Sequence, residues 1–112
     1  MKKQIKDLEI CELDFLVAKA EELHPFIRNN KCFIKNEGYY DTYYSPTTNP
    51  SQAWPIIERD RISTIYIDYY TKWMAESEKH SGFGETSLES AMRAYVASKF
   101  GDEVDIDNLI NK

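Results

Sequence analysis

The sequence predicts an α+β domain. Two main helices, over about residues 8–23 and 87–100, pack on a small antiparallel sheet with a β-hairpin over about 62–75, and a short helix lies near 55–61. Three observations lead there. Leu13, Leu16, Val17 and Ala20 recur at helical spacing, as do Leu88, Ala91, Met92, Tyr95 and Val96, and each set makes one apolar stripe. Between them, Ile62, Thr64, Ile65, Tyr66 and Ile67 are β-branched or aromatic, which suits a pleated surface. The 112 residues fit one ordinary domain, 1–112, without a repeat or dividing linker.

The elements follow in order. A faint strand signal at Gln4 and Ile5 precedes the first helix, which stops by Leu23 because Pro25 disfavours helical geometry at His24. Lys31 to Lys35 reads as a short strand centred on Cys32, Phe33 and Ile34, and Tyr39 to Tyr44 as an edge strand. Ser45-Pro46-Thr47-Thr48-Asn49-Pro50 is turn chemistry inside a long polar loop, and loops of that kind often carry function. Pro55 suits the first turn of a short helix that runs to Arg61. Ile62 to Tyr69 is a strand with Lys72-Trp73-Met74-Ala75 as its returning partner, and Lys79 to Gly84 reads as a mobile loop. Thr86-Ser87-Leu88-Glu89 has the form of a capping box, and Gly101 stands where a helix needs a left-handed stop. From Asp102 onward the chain reads as a polar tail docked by Val104 and Ile106.

Composition excludes several classes. The net charge of -5 argues against binding nucleic-acid polymers, which demand a basic surface. No apolar run approaches the roughly 18 residues of a membrane span, and no secretory signal follows the basic start. Cys11 and Cys32 have no metal-site spacing and are expected as free thiols in a reducing compartment. His24 and His80 sit in no hydrolase motif, and the four glycines form no phosphate-binding loop. No catalytic residue, metal or cofactor is expected, so an enzyme is not.

A softer constellation remains. Tyr44, Ser45, Thr47, Thr48, Asn49, Trp54, Glu58 and Arg59 crowd one stretch, and Arg93 borders the stripe of the last helix. Aromatic faces stack on bases, hydroxyls and amides orient a ligand, and arginine presents a planar fork to phosphate. These nine residues are the candidate ligand site. The competing reading makes the tyrosines sheet cover and the charged groups structural ion pairs.

Three stretches together resemble a known family. They are Leu13 to Ala20, Tyr44 to Asn49 continuing through Pro55-Ile56-Ile57-Glu58-Arg59, and Gly84 to Val104. In that order and spacing the chain resembles the phage NinX-like family, small proteins of tailed phages and prophages. The resemblance implies a phage product acting in the bacterial host cytoplasm, and it supplies no mechanism. The chain departs from the family pattern where Pro50 replaces a tryptophan and Ala53-Trp54 replaces a Gly-Gly pair. By analogy with small phage proteins that sequester host immune signals, the leading expectation is a non-enzymatic binder of a small nucleotide-derived molecule. The alternative is a module that docks on a host protein. A symmetric homo-oligomer suits either.

Overall fold

The computed structural model describes residues 1–38 and 40–110, and the Tyr39 end of the expected edge strand falls outside them. The chain begins with β1 (Lys3–Gln4), a 3-10 turn (Ile5–Asp7), α1 (Ile10–Ala20), β2 (Pro25–Arg28), β3 (Lys31–Ile34) and β4 (Thr42–Tyr43). It continues with α2 (Pro50–Asp60), β5 (Ser63–Ile67), β6 (Lys72–Ser77), β7 (His80–Gly84), α3 (Ser87–Phe100), β8 (Glu103–Val104) and α4 (Ile106–Ile110). The α+β class is as expected, with its strands divided among three antiparallel sheets: β1-β8, β2-β3-β4 and β5-β6-β7.

α1 starts two residues later than predicted, because Glu9 is extended and acts as the cap. The Glu12 carboxylate accepts the Glu9 N–H at 2.9 Å, and the Glu9 side chain reciprocates. α1 ends at Ala20, three residues before the expected Leu23, with Glu21 as its cap and Glu22 left-handed at φ of 62°, and Pro25 opens β2, which the sequence reading missed. The β2–β3 hairpin turns on Asn29 and Asn30, both left-handed with φ of 54° and 59°. Asparagine tolerates that conformation better than most residues.

The expected helix over 55–61 is the second half of α2. The Asn49 side chain accepts the Ser51 N–H at 3.0 Å, and Pro50 takes the first turn, where its missing N–H costs nothing. Pro55 therefore lies inside the helix.

The segment read as a mobile loop is β7. Gly82 and Gly84 mark close approach, since a Cβ on Gly82 would lie 2.4 Å from the Ala94 nitrogen and 2.6 Å from the Ser90 oxygen. α3 packs directly on that strand. Its Thr86 hydroxyl accepts the Glu89 N–H at 3.1 Å, but the return half of the expected capping box is absent because the Glu89 carboxylate pairs with Arg93. Gly101 follows with φ of 84°.

The core lies where α1 and α3 meet. Leu13, Leu16 and Val17 from α1 and Met92, Tyr95 and Val96 from α3 are all buried. Each such side chain contributes about 1.5–3 kcal/mol of hydrophobic stabilisation. The β2-β3-β4 sheet backs α1 through Cys32 and Ile34, and Val104 and Ile106 dock from the tail.

Candidate functional site

The loop from Tyr44 to Asn49 is held from beneath. Asp14 of α1 accepts the Thr47 backbone N–H at 3.0 Å and the Thr47 hydroxyl at 3.2 Å. Gln52 accepts the Ser45 N–H at 2.7 Å and donates to the Tyr43 carbonyl at 3.0 Å. The Thr48 hydroxyl donates to the Ser45 carbonyl at 3.3 Å, and Asn49 caps α2. Tyr44, Ser45 and Thr47 are buried, so their side chains hold the loop from within; Thr48 is exposed. Burial pushes the Asp14 carboxyl up to about 6 against the pull of its two Thr47 hydrogen bonds, and it raises the Tyr44 hydroxyl as well.

Trp54, Glu58 and Arg59 do come together, lining a shallow groove of about 500 Å³ with Pro55. Trp54 is 58% exposed there. The Arg59 guanidinium is already engaged. It donates to both Glu21 oxygens at 2.9 and 2.8 Å, to Asp60 at 2.7 Å and to the Tyr95 hydroxyl at 3.3 Å. The Tyr95 hydroxyl in turn donates to Glu21. Arg59 holds the Glu21 carboxyl below its ordinary range, and the network ties α1, α2 and α3 around a hollow of about 290 Å³.

Arg93 stands apart from these residues. It is two positions from Tyr95, about 200° around α3. Its donors reach the Ile5 carbonyl at 2.7 Å, the Leu8 carbonyl at 3.2 Å and Glu89 at 3.2 Å, so it clamps the N-terminal segment onto α3.

The arrangement richest in ligand chemistry was missed. Across β2, β3 and β4, Phe26, Phe33 and Tyr43 are register partners and share one face. Successive ring centroids are 5.7 Å apart. The Arg28 guanidinium lies 5.5 Å from the Phe26 centroid and 4.9 Å from that of Phe33, and the Lys31 ammonium lies 5.8 Å from the Tyr43 centroid. Among the described residues neither cation forms an ion pair with a carboxylate. An Asn-Asn turn between two apolar pairs was the available signal, and Pro25 masked it.

Other chemistry is sparse. No group of three or more His, Cys, Asp or Glu that could hold a metal ion occurs among the described residues. Cys11 and Cys32 are buried and unbridged, and the Cys32 thiol is pushed up to about 12 by burial and by Asp14 and Cys11 nearby. Among the described residues no helix is long and apolar enough to cross a membrane.

No curated protein matches this chain. Residues 4–99, from β1 almost to the end of α3, match the family described as Bacteriophage P22, NinX. That span takes in the loop anchored by Asp14, the Arg59 network and the Arg93 clamp, and the chain accordingly belongs to the phage NinX family.

Proposed function

We propose that this phage protein is a non-enzymatic binder of a small nucleotide-derived molecule, held against the aromatic face of the β2-β3-β4 sheet. The observation that carries the reading is the row Phe26, Phe33 and Tyr43 with Arg28 and Lys31 over it, cations without acidic partners among the described residues of a chain with net charge -5. A base stacked on such rings gains about 1–3 kcal/mol. The Arg28 fork and the Lys31 ammonium are matched to its phosphates. Rings and cations bind without supplying a nucleophile or base, which favours capture over turnover. A phage protein of this kind acts stoichiometrically, keeping a host signalling nucleotide out of solution.

Native mass spectrometry and calorimetry with nucleotides, cyclic nucleotides and ADP-ribose derivatives test this. Binding of one member is expected, with affinity reduced at least about tenfold in Arg28→Ala and in Tyr43→Ala, the loss of one charge-assisted or stacking contact. Arg59→Ala is expected to bind normally. Unchanged affinity in both face variants would remove this surface from the reading, and turnover of any ligand would overturn capture. A panel with no bound member favours the docking of a host protein instead.

A further inference from the structure

Among the described residues the outer face of the β5-β6-β7 sheet is largely exposed. α3 occupies the inner face, where Ala75, Ser77, Gly82 and Gly84 are buried. The register places Ile65, Met74 and Phe83 side by side on the opposite face, in one row across the three strands. Ile65 is 55% exposed and Phe83 46%, and the neighbouring Tyr70 is 60% exposed beside a hollow of about 380 Å³ that it shares with Lys72 and Phe83.

Charge indicates what covers this row. Along β6 the same face presents Lys72, Met74 and Glu76, since alternate residues of a strand share a face. Within the paired strands Lys72 lies opposite Ile67, and Glu76 opposite Ser63 and Ser81. Neither is ion-paired among the described residues.

We infer that a second copy of this chain docks on the outer face through a two-fold axis running along the Ile65–Met74–Phe83 row. That axis reverses strand direction between the copies. It sets the apolar row on its own counterpart and each Lys72 over the partner's Glu76, twice by symmetry. The other two-fold packing, about the strand direction, would place lysine on lysine and glutamate on glutamate. The charges therefore select one arrangement, an aligned sheet-on-sheet sandwich.

Three strands of about five residues present a face of only roughly 10–15 by 17 Å. That is well below the roughly 800 Å² per partner of a stable complex, so the dimer is weak and concentration-dependent. Sedimentation equilibrium from roughly 10 µM to 1 mM tests it, a range in which weak pairs form. The wild type is expected to shift from monomer to dimer. Lys72→Glu alone and Glu76→Lys alone each bring like charges together and should weaken association about tenfold. The double swap, Lys72→Glu with Glu76→Lys, should restore it. Both side chains are exposed, so circular dichroism should show all three variants folded. A wild type that stays monomeric throughout would overturn the inference, as would a dimer indifferent to the swaps.

Discussion

Asp14 is 3% exposed, and a carboxylate so placed would ordinarily cost several kcal/mol. Two hydrogen bonds from Thr47 offset part of that cost, yet the carboxyl still rises from 3.8 to about 6. Between those values the folded protein keeps a proton that the unfolded chain has released. Stability contributed by this group is therefore present below about pH 4 and declines as pH rises toward 6, by at most about 1.4 kcal/mol per unit and about 3 kcal/mol in total. Glu21 acts in the opposite sense: its lowered carboxyl contributes stability above its ordinary 4.5, and acid removes that contribution. In the wild type the urea midpoint should fall from pH 4 to pH 6 and change little from pH 6 to pH 8. Asp14→Asn keeps an acceptor for Thr47 without the charge, and its midpoints should fall less. An equal fall in both proteins would show that another group sets the slope.

At the level of elements, legibility followed how local each cause was. α3 was readable because its cap, stripe and stop all lie within its own residues. The start of α2 was equally local in Asn49-Pro50, but Pro55 offered a second plausible first turn and won. β7 could not be read from its own composition, because its glycines acquire meaning only when α3 lies on them. Trp54, Glu58 and Arg59 were read as neighbours and are neighbours. The pairing of Asp14 with Thr47 spans 33 residues, and the aromatic row depends on strand register, so packing alone reveals either. Gly82→Ala tests the β7 argument. Its new methyl would meet helix backbone, which cannot swing aside, and should cost about 3 kcal/mol or more in denaturant unfolding. Gly38→Ala meets nothing within 4 Å and should stay within about 0.5 kcal/mol of wild type.

Across the whole molecule, the first and last strands close the structure on themselves. Lys3 pairs with Val104 and Gln4 with Glu103, the Ile5 N–H donates to the Asp102 carbonyl at 2.9 Å, and Arg93 grips the turn behind them. Arg93→Met leaves the Leu8 carbonyl without its guanidinium donor, the Ile5 carbonyl with only the Leu8 N–H at 3.3 Å, and Glu89 without its cation. A loss of about 3 kcal/mol is expected. Hydrogen exchange at the Ile5 amide should accelerate more than at amides in mid-α1, and equal acceleration at both would mean global destabilisation rather than release of the clamp. The closure also has a temporal side. On a ribosome adding about 5–20 residues per second, Lys3 and Gln4 wait roughly 5–20 s for their partners to be synthesised. Until then the nascent chain carries an unclosed core, and Glu103 and Val104 must be made before the protein can lock Lys3 and Gln4 in place.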